Sequence, residues 1–253
     1  MEKSDCDGRV EVVGYWISAF VHRVRWALKL KGVDYKYTEE DIFNDVRTPS
    51  FNKTPLLSHL NPLHGKVPVL IHNGNPLPES AVILEYIDDV WSHDPLLPQD
   101  PILRARARFW AKFIDQKVIN STALALHSEG EDQERAVKLA VEYLERIEEE
   151  LQLQGKVFFG GEKIGYVDLM MGFVAYILPV FQEVASVDIL DPSRFPAIAA
   201  WTVNFLEHPV IKAEYLPPRD EIFSFYSRRR QEALPLCGSQ TPLGKKIWSF
   251  LLS

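Results

Sequence analysis

Hydrophobic positions follow different periods in the two parts of the chain. In the first part, Val10 to Trp16 and Tyr35 to Tyr37 form short β-branched or aromatic runs that predict strands. Between them, apolar residues recur at helical spacing and stop near Gly32: Phe20, Val24, Ala27 and Leu28. A strand, a helix and a strand in this order predict a parallel βαβ unit with a right-handed crossover.

The stretch His64 to Ser80 predicts a hairpin followed by a helix. Val67 to His72 is a candidate strand, and it leads into Asn73-Gly74, two residues that tolerate the positive φ of a two-residue turn. A second short strand and an apolar helical series follow. Ser80 should therefore lie at a helix N-terminus, where backbone N–H groups attract carboxylates.

Pro68 has no N–H to donate to a ladder, so its presence in the candidate strand predicts a free sheet edge. A peptide-like ligand could pair with the N–H and C=O of Val67 at such an edge. Ser80 would then receive its carboxylate and Glu79 its ammonium. Lys66 would supply charge for a second carboxylate. The alternative interpretation is a covered edge strand followed by an ordinary helix cap.

A proline-containing connection separates this region from a second part in which almost every segment has helical periodicity. The predicted organisation is a sheet-containing domain at 8–92, a linker at 93–101, a helical domain at 102–233 and a tail at 234–253. Within the helical domain the main candidates are Ile102 to Leu126, Val137 to Leu151, Val167 to Val184, a helix opened by Phe195-Pro196, and Glu221 to Ala233.

Composition narrows the function classes. With 46% hydrophobic and 25% charged residues, the 253-residue chain is typical of a soluble globular protein, and its net charge of -7 argues against nucleic acid as the main partner. The most apolar stretch, Leu169 to Val184, is interrupted by polar residues and is short for a bilayer, so we expect no membrane partner. Arg228-Arg229-Arg230, the dense basic run, is interpreted as a solvated helix face.

Cys6 and Cys237 are the two cysteines, and they form neither a disulfide framework nor a metal site of recognisable spacing. We therefore expect no metal and a reducing compartment. The first residues are acidic where a secretory or transit peptide would be basic and apolar, which favours the cytosol.

Several separated motifs resemble those of glutathione transferases, most closely the plant tau class. They occur in the family's order along nearly the whole chain: GYWISAFVHRVRWALKLKGV at 14–33, NPLHGKVPVL at 61–70, PES at 78–80, RFWA at 108–111, FGG at 159–161 and GYVD at 165–168. The resemblance implies an α/β N-terminal thioredoxin-like domain, βαβ-ββα, followed by an all-α C-terminal domain.

The same resemblance implies an activity and partners. The chain would conjugate the glutathione thiolate to small hydrophobic electrophiles, with glutathione as co-substrate, and would form a homodimer. By position, the resemblance assigns the glutathione contacts to Lys53, Lys66, Val67, Glu79 and Ser80. It also implies a cis peptide bond before Pro68.

Ser18 occupies the family's catalytic serine position, between the first strand and the first helix. A free thiol has a pKa of about 8.5, and a fall of roughly two pKa units, about 2.7 kcal/mol, makes the thiolate the major species near neutrality. A hydrogen bond from the Ser18 hydroxyl to the charged glutathione sulfur would contribute about 1.5 to 3 kcal/mol. The N-terminus of the helix would add about 0.3 to 1 kcal/mol, and the two together are enough to stabilise the thiolate. The alternative is that Ser18 only caps the helix. Ile17 and Ala19 replace the usual flanking prolines, which makes the turn less fixed.

The resemblance also implies an apolar pocket for the electrophile between the domains. Its candidate residues are Phe20, Ile119, Ala123, Leu126, Ile177 and Phe225. For each of them, packing in the core is the alternative. Asp168 is interpreted as a helix cap that fixes the docking of a buried helix.

Two other functions stay open from the residues. A carrier that binds apolar molecules with little turnover is favoured by Ile17 and Ala19, whereas Lys66-Val67-Pro68 and Glu79-Ser80 favour the transferase. Thiol transfer of the cysteine type is disfavoured, because no cysteine occupies the site.

Overall fold

The computed structural model describes residues 8–43, 54–214 and 216–237, and the chain divides into two compact units. Within those ranges the first unit holds the residues up to Pro101 together with His208–Leu216. The second holds Ile102–Glu207 and the residues from Pro217 onward. The second unit thus lacks 208–216, which the prediction of a helical domain at 102–233 had included.

The first unit is a four-stranded mixed sheet with helices. Its main elements in chain order are β1 (Val10–Gly14), α1 (Ala19–Leu30), β2 (Lys36–Glu39), α2 (Pro55–Leu60), β3 (Val69–His72), β4 (Asn75–Pro78) and α3 (Ser80–Val90). The sheet order is β2-β1-β3-β4; β1 pairs with β2 in parallel, and the other two pairs are antiparallel. The predicted βαβ unit and hairpin are therefore confirmed.

The prediction that Pro68 lies in an edge strand is wrong. β3 begins at Val69, and it lies between β1 and β4, so that Val69 is paired with Val13 on one side and Pro78 on the other. A central strand needs N–H donors on both sides, so the ladder starts after the proline. Val67 lies outside the ladder because it precedes the first paired residue of β3. Its backbone is not part of a sheet edge.

A buried ion pair anchors the segment that follows α3. The Lys31 ammonium donates to Asp88 at 2.8 Å and to the carbonyl oxygens of His93 and Asp94. The Asp88 carboxylate also accepts the N–H groups of Leu96 and Leu97. Both charges are almost fully buried. Each is fully engaged in hydrogen bonds, the condition under which a buried pair is tolerated.

The second unit is helical. Its elements, with the helix α4 that leads into it, are α4 (Pro101–Phe113), a π-helix (Ile114–Ile119), α5 (Asn120–Leu126), α6 (Gly130–Gln154), α7 (Tyr166–Tyr176), α8 (Leu178–Ala185), α9 (Pro196–Glu207) and α11 (Arg219–Cys237). Helix α10 (Pro209–Ala213) belongs to the first unit.

The single long helix predicted over Ile102 to Leu126 contains the π-helix at its centre. Asn120, Ser121 and Thr122 follow the π-helix directly, and their side chains donate to carbonyl oxygens of its wider turns. Such local side-chain bonds offer the carbonyls a partner where the regular α-helical ladder is interrupted.

The apolar segment predicted as one helix over Val167 to Val184 is two helices, α7 and α8. They meet at Ile177, just before Pro179, whose ring and missing N–H interrupt the regular ladder. Tyr166–Ala185 as a whole is long and apolar enough to cross a membrane by composition. Of its most apolar 18-residue window, 72% is buried inside the protein, as in the core helix of a folded domain.

Asp168 organises the start of α7, which confirms the predicted cap. Its buried carboxylate accepts the backbone N–H groups of Phe159, Gly160 and Gly165 at 2.9 to 3.0 Å. It also accepts the indole N–H of Trp201 at 2.8 Å. Burial raises the pKa of Asp168, and these four donors oppose that rise.

The basic run Arg228-Arg229-Arg230, within α11, is not a uniformly solvated face. Arg228 is exposed, but Arg230 donates to the carbonyl oxygens of Leu126, the last residue of α5, and of Ser128. The last carbonyls of a helix lack partners within the helix, and a guanidinium satisfies them. The prediction of a solvated face is therefore wrong for Arg230.

Candidate functional site

A cleft in the first unit collects most of the predicted glutathione contacts. It is lined by Phe20, Asn61, Lys66, Val67, Pro68, Glu79 and Ser80. Four of these residues were predicted to bind glutathione. Phe20 was predicted for the electrophile side, and neither Asn61 nor Pro68 was given a role of its own.

Asn61 shapes the loop that presents Lys66 and Val67. Its side-chain amide donates to the carbonyl oxygen of Lys66 at 3.1 Å, and its amide oxygen accepts the N–H of His64 at 3.2 Å. The backbone carbonyl of Asn61 accepts the N–H of Gly65 at 2.7 Å. Asn61 is 2% exposed, so these bonds form away from solvent. A buried asparagine with every polar group engaged fixes this loop.

Val67 has an unused backbone at the wall of the cleft. The peptide bond between Val67 and Pro68 is cis, as the resemblance implied. The ladder of β3 begins two residues later, and no described residue hydrogen-bonds to the N–H or C=O of Val67. Both groups can therefore pair with an extended ligand.

Glu79 and Ser80 stand at the start of α3. Glu79 adopts φ 72°, a conformation that non-glycine residues rarely occupy, and such outliers cluster at ligand-binding sites. Its carboxylate is exposed, and it lies 3.9 Å from the Nε2 atom of His64. Ser80 is buried, and its hydroxyl oxygen accepts a hydrogen bond from the guanidinium of Arg23 at 3.3 Å.

Arg23, like Asn61, is a feature of the site that sequence reasoning missed. It lies on α1, is 1% exposed, and places its guanidinium 4.9 Å from the ring centre of Phe20 and against Ser80. A buried positive charge behind a hydroxyl favours an anion in front of it. The available signal was a cation three residues after Phe20 in an otherwise apolar helical series.

Ser18 is the N-cap of α1. Its Oγ accepts the N–H of Val21 at 3.4 Å, and its own N–H donates to the carbonyl oxygen of Tyr15 at 3.0 Å. A serine hydroxyl can accept and donate at the same time. Among the described residues the hydroxyl hydrogen has no acceptor, so Ser18 can cap α1 and still donate to a ligand. Ser18 is not among the residues that line the described cleft.

The remaining predicted residues are placed as follows. Lys53 lies outside the described residues. In the second unit, Ile119 and Ala123 are half-buried, whereas Leu126, Ile177 and Phe225 are buried. Phe20 belongs to the first unit and is partly exposed in its cleft. Their assignment to an electrophile pocket stays a prediction.

Comparison with known families decides the identity of the fold. The family profile described as "Glutathione S-transferase, N-terminal domain" matches residues 17–90, and the profile "Glutathione S-transferase, C-terminal domain" matches residues 104–209. The chain belongs to the glutathione S-transferase family. The cleft lies entirely within the part of the chain matched by the N-terminal profile, which assigns it to that domain of a glutathione S-transferase.

Individual relatives support the closer resemblance. A "Probable glutathione S-transferase" of Glycine max is 43% identical over 221 residues, covering 87% of this chain and 93% of the relative. "Glutathione S-transferase U8" of Arabidopsis thaliana is 44% identical over 214 residues, covering 84% and 91%. The predicted resemblance to plant tau-class transferases extends to solved structures.

The crystal structure of a tau-class glutathione S-transferase from mango superposes with a TM-score of 0.79 at 38% identity, covering 87% of this chain and 98% of that one. The structure of rice GST1, solved in complex with glutathione, superposes with a TM-score of 0.78 at 30% identity. It covers 89% of this chain and 98% of the rice chain. The predicted fold and the tau-class resemblance are confirmed.

Proposed function

We propose that the chain is a glutathione transferase in which Ser18 stabilises the glutathione thiolate for attack on small hydrophobic electrophiles. The observation that carries the proposal is the cleft in which Lys66, Val67, Glu79 and Ser80 meet. A member of this family that presents a backbone pair, a carboxylate and a buried hydroxyl in one cleft has the groups that a γ-glutamyl tripeptide needs.

Each group of glutathione has a partner of matching chemistry. The free N–H and C=O of Val67 pair with the cysteinyl backbone, in the manner of an added strand. Ser80, with Arg23 behind it and the N-terminus of α3 around it, receives the γ-glutamyl carboxylate. Glu79 receives the ammonium, and Lys66 the glycyl carboxylate. Lys53 is proposed as a second cation for that carboxylate.

Ser18 acts on the sulfur without losing its own proton. The thiol releases its proton to solvent, and the Ser18 hydroxyl donates a hydrogen bond to the resulting thiolate. The thiolate then forms a C–S bond to the electrophilic carbon, whose leaving group departs with its electron pair. A charge-assisted hydrogen bond of about 1.5 to 3 kcal/mol accounts for most of a two-unit fall in the thiol pKa.

Replacement of Ser18 by alanine tests this role. In Ser18→Ala we expect the apparent pKa of the kcat/KM profile to rise by about two units. With glutathione and 1-chloro-2,4-dinitrobenzene at pH 6.5, kcat/KM should fall roughly 30- to 100-fold. Binding to glutathione-agarose should persist, because the cleft residues are unchanged.

Ser58→Ala, at an exposed serine on α2, is the matched control and should behave as the unmodified chain. An unchanged pH profile in Ser18→Ala would refute the role of Ser18. Retention on glutathione-agarose by the unmodified chain without any conjugation rate would instead indicate the carrier. Ser18→Cys should create thiol-transfer chemistry if the placement of Ser18 is right.

The chain is further proposed to form a homodimer. Helix α4 leaves the side chain of Phe109 61% exposed, and exposed apolar surface of this kind favours association. Phe109→Asp should reduce the mass measured by light scattering from twice 29.0 kDa to that of one chain. Val203→Asp, at an exposed valine on α9, is the control. A dimeric Phe109→Asp protein would argue against this face.

A cytosolic location and a role in detoxification complete the proposal. A reducing compartment fits a chain with two cysteines at sequence positions far apart, and a thiol co-substrate requires reducing conditions. Fluorescence of a fusion protein in plant cells tests the location, and enrichment in an organelle would contradict it.

A further inference from the structure

The turn that carries Ser18 contains no proline. Ser18 N–H donates to the Tyr15 carbonyl at 3.0 Å, which closes a turn with Trp16 and Ile17 at its corners. Neither Ile17 nor Ala19 restricts the backbone as a proline would. Ile17 is buried, so one corner of the turn is anchored by packing. The N–H of Trp16, at the other corner, donates to a side chain outside the turn.

Glu39 holds that second corner. It is the last residue of β2 and pairs in register with Gly14 at the end of β1. From there its carboxylate oxygen Oε1 accepts the N–H of Trp16 at 2.9 Å. The other oxygen, Oε2, accepts the hydroxyl hydrogen of Tyr37 at 2.6 Å. One carboxylate therefore links the turn to the sheet.

Tyr37 is itself held in place. A Cβ at Gly14 would lie 2.9 Å from Cε2 of the Tyr37 ring, so glycine is required for the ring to cross the end of β1. The Arg25 guanidinium lies 4.6 Å from the ring centre, and Arg25 is fixed by an ion pair with Glu214. Burial, and then the bond to Glu39, raises the pKa of the Tyr37 hydroxyl, which therefore stays a proton donor.

We propose that Glu39 is a positioning residue for Ser18. It does not touch the substrate; it fixes the Trp16 corner so that the Ser18 hydroxyl points at the thiolate. This inference rests on the proposed role of Ser18. It explains how a turn without flanking prolines can still aim its serine.

The test uses Glu39→Ala, Glu39→Gln and, as a matched control, Glu11→Ala. Glu11 also accepts two side-chain hydrogen bonds on the same strand pair, from Thr38 and Lys36, but it does not contact the turn. The readouts are the pH profile of kcat/KM with 1-chloro-2,4-dinitrobenzene and the KM for glutathione. A role limited to stability would not move the pH profile.

Glu39→Ala should raise the apparent pKa of the profile by about 0.5 to 1 unit and lower kcat/KM at pH 6.5 about fivefold, with the KM for glutathione changed by less than about twofold. Glu39→Gln keeps an oxygen acceptor for Trp16 and should recover most of the loss. Glu11→Ala should match the unmodified chain. A Glu39→Ala profile equal to that of Glu11→Ala, or a Glu39→Gln protein as impaired as Glu39→Ala, would overturn the inference.

The Ser18→Ala background separates this inference from the proposed function. Because Glu39 acts through Ser18, Glu39→Ala should shift the profile no further in Ser18→Ala, and an additive shift would overturn the inference. If Ser18→Ala itself leaves the profile unchanged, the role of Ser18 fails. If Ser18→Ala shifts the profile and Glu39→Ala does not, only the role of Glu39 fails.

Discussion

The starts of α7 and α9 in the second unit are satisfied differently from the starts of α1 and α3 in the first unit. In the second unit, Asp168 accepts four N–H groups around the start of α7, and Glu148 accepts the N–H groups of Ala197 and Ile198 at the start of α9. Both carboxylates are buried. In the first unit, α1 begins with a single bond to a serine hydroxyl, and within the described residues Glu79 forms no side-chain cap on α3.

The difference fits the ligand-binding role proposed for the starts of α1 and α3. A buried carboxylate neutralises the positive end of its helix and leaves no room for another anion. A hydroxyl cap, or none, leaves the positive end available to a thiolate or a carboxylate of the substrate.

The largest effect should come from the fully engaged start of α7. Asp168→Ala leaves four N–H groups without their acceptor in the protein interior, so the free energy of unfolding should fall by about 4 kcal/mol. Urea unfolding measures this change. Asp191→Ala, at an exposed carboxylate that also accepts an N–H in a turn, should leave the unfolding midpoint nearly unchanged. Equal losses of unfolding free energy in Asp168→Ala and Asp191→Ala would show that the buried carboxylate at the start of α7 stabilises the fold no more than an exposed one.

A smaller effect should appear as a pH dependence at the start of α1. Burial, and then the charge of Arg25, lowers the pKa of His22 to about 3, whereas the unfolded chain has about 6.5. Between about pH 3 and pH 6.5, His22 therefore takes up a proton when the chain unfolds. The free energy of unfolding should therefore fall as the pH drops below 6.5, by about 1.4 kcal/mol per pH unit and about 2.7 kcal/mol by pH 4.5.

His22→Leu cannot take up this proton, so its unfolding free energy should depend less steeply on pH by that amount. His59→Leu, at an exposed histidine on α2, is the control and should keep the original slope. Urea unfolding at pH 7.0, 5.5 and 4.5 measures the three slopes. Parallel curves for His22→Leu and the unmodified chain would show that a cation is tolerated at this helix start.

The smallest effect should come from the open start of α3. Ser80→Ala removes the hydroxyl between Arg23 and the proposed carboxylate, so glutathione affinity measured by calorimetry should fall about tenfold, or about 1.4 kcal/mol. The unfolding free energy should change by about 1 kcal/mol or less, because a single hydrogen bond is lost. Ser58→Ala serves as the control. Unchanged affinity would mean that the open start is not used.

Much of the fold follows from local patterns, since the βαβ unit, the Asn73-Gly74 turn and the helical second part depend on period and turn chemistry. The order of the strands in the sheet did not follow from these patterns. Pro68 was assigned to an edge strand, although the ladder of β3 begins after it. The π-helix was not predicted either. Its hydrogen bonds depend on polar side chains that an apolar period does not record.

At the site, residues next to one another in sequence were easier to predict than residues brought together by the fold. Lys66, Val67, Glu79 and Ser80 lie in two short motifs, and they meet in one cleft. Arg23 reaches Ser80 across 57 residues of sequence, so its role requires the packing of α1 against α3. Sequence periodicity reports which face of a helix is buried, but not which partner it meets there.

The return of His208–Leu216 to the first unit sets an order of events during synthesis. Glu214, which pairs with Arg25 and accepts the hydroxyl of Tyr35, leaves the ribosome more than a hundred residues after the last strand of the sheet. A nascent chain that stops at the inter-unit connection would have its sheet but not this ion pair. Excising the thioredoxin-like half as an independent fragment would require grafting this short late segment back onto it.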